Sequence, residues 1–240
     1  MHRFYLPQIT FEPNIIINKD THPELFHQLK NVLRAEIGDQ FIFFSGKDNK
    51  EFVVELTESG REFHFVVKET REAHTELPYT LTLIQAIPQK SEKWEWILQK
   101  GTELGVSTFI PLITERTQRK ILPKMERMEK IVIEAVEQSG RVKIPTISTP
   151  LTVEKFTTQA NTHSLFASLH SKQSLQEHLK VLHPKFESIS IIIGPEGGLS
   201  PKEEDFLLGL GALPFSLGMR TLRLETAALA SLAIVNELLQ

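Results

Sequence analysis

Two glycine-rich turns in the last fifty residues leave this chain few ways to fold. The first, Gly194-Pro195-Glu196-Gly197-Gly198, follows the run Ile191-Ile192-Ile193; the second, Leu217-Gly218-Met219-Arg220-Thr221-Leu222-Arg223, follows Leu213-Pro214-Phe215-Ser216. A short continuous β-branched run is the pattern of a strand buried on both faces. Each turn then enters a helix. Ser200, Pro201 and Glu203 supply an N-cap, a proline at the first helical position and a capping-box glutamate. Ala227 opens an apolar helical run to Leu239, too short and small-residue-rich for a membrane span and too apolar for a surface helix. Strand, glycine turn and helix, twice over, place two loops at one edge of a parallel sheet, where open α/β sheets bind small molecules.

The first turn fits neither G-x-G-x-x-G nor the phosphate-binding P-loop, and it has no Lys-Ser/Thr pair. A carboxylate at Glu196 would repel a polyphosphate and better suits a cationic or hydrogen-bond-donating ligand. The second turn brings Arg220, Arg223 and Glu225 within six residues. Two arginines beside a helix N-terminus oppose the helix dipole, so they need a compensating role. The chemistry is therefore expected where these two loops meet.

From residue 80 onward strands and helices alternate. Strands are expected at 81–86, 108–113, 163–168, 189–193 and about 213–216, with helices near 91–104, 125–138, 172–181, 201–209 and 225–239. Such alternation predicts a parallel sheet covered on both faces. Earlier in the chain, short strands are expected at 41–44, 52–54 and 63–67, separated by turn signals at Gly46-Lys47-Asp48-Asn49 and Ser59-Gly60. A helix precedes them, with Thr21 and Glu24 as a capping box and Leu25, Leu29, Val32 and Leu33 on its apolar face. These elements predict a small β-barrel with a helix. The polar stretch 69–76 reads as a linker, dividing the chain into domains 1–72 and 73–240.

The chain has no cysteine, so disulfides, thiolate zinc sites and methylation through a covalent cysteine adduct are excluded. Its nine histidines show no metal-ligand spacing, and no metal is expected. The first residues lack a basic, apolar signal pattern, so a cytoplasmic protein with no membrane attachment is expected. A net charge of −3 argues mildly against a nucleic-acid partner. Against it stands a basic stripe of Arg116, Arg119, Lys120, Lys124, Arg127 and Lys130, opposed within it only by Glu126 and Glu129. A few local contacts suffice for an enzyme that reads the shape of a folded ribonucleoprotein.

Taken together, GPEGGLS at 194–200 and LGMRTLRLETA at 217–227 resemble the C-terminal signature of the SPOUT methyltransferases, in particular the ribosomal RNA small-subunit methyltransferase E family. Other stretches match that family too: Lys100-Gly101-Thr102-Glu103-Leu104-Gly105-Val106, Thr114-Glu115-Arg116, and Glu137-Gln138-Ser139-Gly140-Arg141 with Pro145. Asn31-Val32-Leu33-Arg34 and Ile37-Gly38-Asp39 extend the resemblance towards the N-terminus, so it spans nearly the whole chain. Thr221 departs from it, standing where the family has an aliphatic residue.

The resemblance implies an α/β fold: a C-terminal SPOUT-type parallel sheet with a deep trefoil knot, and an N-terminal PUA-like β-barrel that binds RNA. It implies S-adenosylmethionine as cofactor, held by Leu169, Gly194, Glu196, Gly197, Gly198, Leu217, Gly218, Met219 and Leu222, in a homodimer with its active sites at the subunit interface. The implied reaction is methylation of N3 of a specific uridine in 16S ribosomal RNA, on the assembled small subunit. Arg223, helped by Arg220, would stabilise the uracil anion, with Glu225 orienting them or accepting the proton and Glu196 as a second candidate. Arg3, Arg34, Arg116 and Arg141 match family positions expected to contact RNA. Two alternatives stay open on sequence: a related enzyme that methylates a ribose 2′-hydroxyl or a transfer-RNA base, and a non-catalytic RNA-binding protein.

Overall fold

The computed structural model describes residues 1–7, 13–158, 161–181 and 187–239. The chain forms two compact units, Met1–Glu76 with Val136–Ile144, and Leu77–Ala135 with Pro145–Gln240.

The first unit is built on five strands: β1 (His2–Tyr5), β2 (Asn14–Asn18), β3 (Gln40–Phe44), β4 (Lys50–Glu58) and β5 (Glu62–Glu72). Their order is β1-β3-β4-β5-β2, with β1 parallel to β3 and the other pairs antiparallel. Phe4 on β1, Phe41 and Phe43 on β3 and Phe65 on β5 are buried and pack tilted or edge to face, with ring centroids 5.1–6.1 Å apart. Helix α1 (Pro23–His27) continues as a π-helical turn, Gln28–Leu33, and buries Leu25 and Leu29 in the same core.

Several expectations need correction in this unit. Among the described residues β1 and β2 do not pair with each other, so the sheet is an open half-barrel and not a barrel closed by hydrogen bonds. Strand β5 runs through the first half of the stretch read as a linker, because Glu69, Thr70, Arg71 and Glu72 continue the ladder against β4. Strands β1 and β2 were not expected at all. Thr21 and Glu24 form no capping box: the N-cap is His22, with Pro23 fixing the first helical turn one residue later. The amide and hydroxyl of Thr21 instead bond Asn18 Oδ1 at 2.9 and 3.0 Å, closing the turn that leaves β2.

The second unit is a parallel sheet of seven strands: β6 (Thr80–Ala86), β7 (Thr108–Ile113), β8 (Thr146–Ile147), β9 (Leu151–Thr152), β10 (Thr162–Ala167), β11 (Ser188–Ile193) and β12 (Leu213–Phe215). The order is β12-β10-β11-β6-β7-β8, with β9 also paired to β7. The helices are α2 (Ser91–Glu103), α3 (Met125–Ser139, whose residues 136–139 belong to the first unit), α4 (Leu175–Lys180), α5 (Pro201–Gly209) and α6 (Leu224–Leu239). All five expected strands and five expected helices are present within a few residues. Only the two-residue strands β8 and β9 were missed, being too short to carry a period. The expected buried character of the last helix also holds, since α6 buries Leu224, Ala227, Ala228, Ser231, Leu232 and Val235.

Gly101 shows how closely this unit is packed. A Cβ at that position on α2 would lie 2.7 Å from Cε1 of Phe109 on β7, and Phe109 is fully buried. Gly101→Ala is expected to destabilise the protein by about 1–3 kcal/mol, the ordinary cost of overpacking, measured by urea unfolding. An unchanged midpoint would mean that the ring can move aside.

Candidate functional site

Because β12, β10 and β11 are neighbours in the sheet, the loops that leave their C-terminal ends lie side by side. Those loops border a cleft open to solvent and lined among others by Ser168, Leu169, Gly194, Glu196, Gly198, Leu217, Gly218, Arg220 and Leu222. Backbone shape depends on glycine at two of these positions: Gly198 has φ 69° and Gly218 φ 103°, in the region that side chains rarely adopt. Ser216 stabilises the second turn by accepting the Gly218 N–H at 3.2 Å through its hydroxyl.

The first loop is clamped at its far end. Ser200 caps α5 and Glu203 returns to the Ser200 N–H at 2.8 Å, the capping box expected from sequence. The other oxygen of Glu203, a buried residue, accepts the Glu115 N–H at 2.7 Å. Beside it Arg116 donates from Nη1 to the carbonyl oxygens of Gly197 and Leu199, at 2.8 and 3.2 Å. The loop after β7 thus holds the glycine loop after β11 by its backbone carbonyls.

Of the nine residues assigned to the cofactor, seven line this cleft. Gly197 is not part of its lining and is instead held by Arg116, and Met219 is fully exposed to solvent. Arg220 lines the cleft, whereas Arg223 does not; Arg223 is exposed and its carbonyl accepts the Ala227 N–H at 2.8 Å in the first turn of α6. Glu225 lies outside the lining too, with only 14% of its side chain exposed, and its Oε2 is 3.1 Å from Nζ of Lys93. The same ammonium lies 3.7 Å from Oε1 of Glu196. Lys93 escaped the sequence reading. It stands more than a hundred residues from both carboxylates, in the first turn of an ordinary amphipathic helix, with no motif around it.

The four arginines matched to RNA contacts fall into different surroundings. Arg34 is exposed, in the left-handed conformation that ends the π-helical turn, with φ 53°. Arg116 is spent on the carbonyls just described. In the first unit, Arg3 pairs with Glu51 and donates to the carbonyls of Gly140 and Arg141, while Arg141 is buried against Glu76. Among the described residues no group of acidic, histidine or cysteine side chains is placed to hold a metal, and no helix is long and apolar enough to cross a membrane.

A parallel α/β sheet with a ligand cleft over neighbouring strand ends, walled by glycine turns and an arginine, defines a small-molecule-binding domain of the doubly covered class. Residues 75–236 of the chain match the family model of the RNA methyltransferase domain. Over 225 residues the chain is 32% identical to the ribosomal RNA small subunit methyltransferase E of Bacillus subtilis (strain 168), covering 89% of this chain and 87% of that protein. The protein of the same name from Synechocystis is 35% identical over 221 residues, covering 89% and 71%. Among solved structures, a ribosomal RNA small subunit methyltransferase E from Neisseria gonorrhoeae bound to S-adenosyl methionine superimposes with a TM-score of 0.86 at 29% identity, covering 99% of this chain and 98% of that one. A Legionella pneumophila protein solved with bound SAM gives a TM-score of 0.83 at 34% identity, covering 98% and 96%. The chain belongs to the RNA methyltransferases, and within them to the ribosomal RNA small-subunit methyltransferase E family.

Proposed function

We propose that this protein transfers a methyl group from S-adenosylmethionine to N3 of one uridine in 16S ribosomal RNA, on the assembled small subunit, as a cytoplasmic homodimer. The cleft carries this reading. It is walled by the glycine turns that resemble the family signature, and relatives that superimpose over nearly their whole length hold that cofactor. The residues present suit the ligand. Glycine turns expose backbone amides and carbonyls to its polar ends, Leu169, Leu217 and Leu222 offer apolar walls, and Glu196 suits a cation. Residues 1–72 are proposed as the RNA-binding domain and residues 73–240 as the transferase.

S-adenosylmethionine supplies a methyl group made electrophilic by its sulfonium. The chain must then make uracil N3 a nucleophile: the N3 proton would pass to water, the freed electron pair would form the bond from N3 to the methyl carbon, and the carbon–sulfur pair would stay on sulfur as the neutral thioether departs. Each pKa unit by which N3 lies above the ambient pH costs about 1.4 kcal/mol, and one preorganised donor aimed at the developing anion contributes roughly 3–4 kcal/mol. One or two guanidinium groups are therefore large enough for the task. We assign it to Arg220, in the cleft wall, with Arg223 beside it, both acting on a uracil carbonyl oxygen. Glu225 stands in the first turn of α6, where a carboxylate suits the helix dipole, and orients the segment that carries them.

The homodimer is supported by Leu169 and Met219, apolar side chains 71% and 101% exposed beside the cleft. A trefoil knot is supported by the path of the chain. Strand β12 lies at the sheet edge beyond β10, while α6, which follows it, packs back against β11, α2 and α4. Exposed Arg34 remains the best placed of the four arginines to meet phosphate.

Arg116→Ala should weaken S-adenosylmethionine binding about tenfold, the value of one charge-assisted hydrogen bond to the loop backbone, with turnover at saturation nearly kept. Calorimetry and steady-state kinetics separate the two, and unchanged affinity would show that the loop holds its shape alone. The overall function is tested with labelled S-adenosylmethionine and small subunits lacking the endogenous methyl group, followed by reverse transcription across the 16S RNA. A new strong stop at one uridine is expected. Label without a stop would move the methyl to a ribose or another non-pairing position. No label on subunits or on naked RNA would retire the reading.

A further inference from the structure

Lys93 occupies an unfavourable position for a cation, in the first turn of α2, where the helix dipole favours anions. Its compensation comes from two other elements. The ammonium is 3.1 Å from Glu225 at the start of α6 and 3.7 Å from Glu196 in the loop after β11, and 24% of the lysine side chain is exposed. The Gln89 N–H, just ahead of α2, also reaches Glu196 Oε1 at 3.4 Å. Glu225 Oε2 is buried and has no aligned hydrogen-bond donor, so the lysine charge is what it has in place of water.

Two arginines also stand close to these carboxylates, one in the cleft lining and one in the chain. Glu196 lines the cleft together with Arg220, and Glu225 follows Arg223 by two residues. Among the described residues neither arginine makes an ion pair or a side-chain hydrogen bond. A guanidinium locked against a carboxylate would be neutralised and desolvated, and would offer little to an anion forming on the substrate.

We propose that Lys93 is a positioning residue that takes up the charge of Glu196 and Glu225 and so keeps the guanidinium groups of Arg220 and Arg223 free for the substrate. It rests on the functional assignment above only for what that substrate is. Without Lys93, two carboxylates that share one ammonium are left without it, and pairing with an arginine of the second turn would relieve their repulsion. Lys93 never touches the reacting atoms; its effect is exerted through which partners the carboxylates choose.

The test compares the full-length protein with Lys93→Met, Lys93→Gln and Lys93→Arg in two readouts. The first is nitrogen-15 spectroscopy of the arginine side chains, assigned with Arg220→Lys and Arg223→Lys. Freely rotating guanidinium groups are expected in the wild type and in Lys93→Arg, and hindered rotation of at least one of them in Lys93→Met and Lys93→Gln. The second is kinetics: turnover at saturating cofactor and RNA should fall about tenfold or more in the two neutral variants, recover in Lys93→Arg, and leave the S-adenosylmethionine dissociation constant within about threefold, the split expected of an interaction made in the transition state. Arginines already hindered in the wild type, or unchanged in both neutral variants, would overturn the proposal. So would neutral variants with wild-type turnover, or an arginine variant as impaired as they are. A wild type that transfers no methyl group to RNA would instead retire the functional assignment, while the spectra still decide the role of Lys93.

Discussion

Alanine in place of Arg220 is expected to lower turnover by about 10²–10³-fold, the loss seen when one preorganised donor to a developing anion is removed, and to leave cofactor affinity nearly unchanged. The uracil ring is neutral in the ground state and anionic on the way to products, so a guanidinium that meets its oxygen is felt mainly in the transition state. Such an interaction lowers kcat and kcat/KM together. Arg223→Ala should cost less, about tenfold, because its side chain lies outside the cleft lining. Lysine at position 220 should recover part of the loss, keeping the charge without the planar fork. Single-turnover kinetics with saturating cofactor give the chemical step directly. If Arg220→Ala raised the S-adenosylmethionine KM and left turnover at saturation intact, the residue would belong to the cofactor wall and the anion would need another partner.

The second unit was legible almost element by element because its physics is local. Buried parallel strands read as apolar runs, and Ser200, Pro201 and Glu203 spell out a helix start that the structure reproduces bond for bond. The cleft followed from the same signals, since glycine turns after neighbouring strands can hardly avoid meeting. What was missed depends on long-range pairing. Strand β2 alternates Ile15, Ile16 and Ile17, but its existence is decided by the partner strand β5, some fifty residues away. The open edge of the first sheet is invisible to periodicity, which reports faces and never closure. Lys93 is missed for the same reason: a salt bridge between three separate elements leaves no spacing in the chain. Family likeness had its own blind spot, for it matched Arg141 to RNA when the side chain is only 4% exposed.

Arg141 and Glu76 carry the largest stability effect expected in the molecule. Nη2 of Arg141 is 2.8 Å from Glu76 Oε2 and Nε is 3.2 Å from the same oxygen, while Oε1 accepts the backbone N–H groups of Val142 and Lys143 at 3.1 Å each. Burial alone would raise the Glu76 pKa, but the bonds and charge of Arg141 and the two amides outweigh it and hold the carboxyl below its usual range. Removing one partner of a pair this enclosed leaves the other charge buried without compensation, at a cost of about 3–5 kcal/mol. Arg141→Met is therefore expected to lose about that much stability in urea unfolding at neutral pH. Glu76→Gln keeps the shape and the amide contacts and should lose somewhat less. The pH dependence has a definite sign. A carboxyl whose folded pKa is depressed contributes stability that is fully present above its unfolded value, about 4.3, and is lost as the pH falls through the folded value. The gap between wild type and Glu76→Gln should accordingly be widest near neutrality and shrink below about pH 4. A gap that stayed constant down to the acid limit would show that Glu76 acts through packing, and that Arg141 is held by its other contacts.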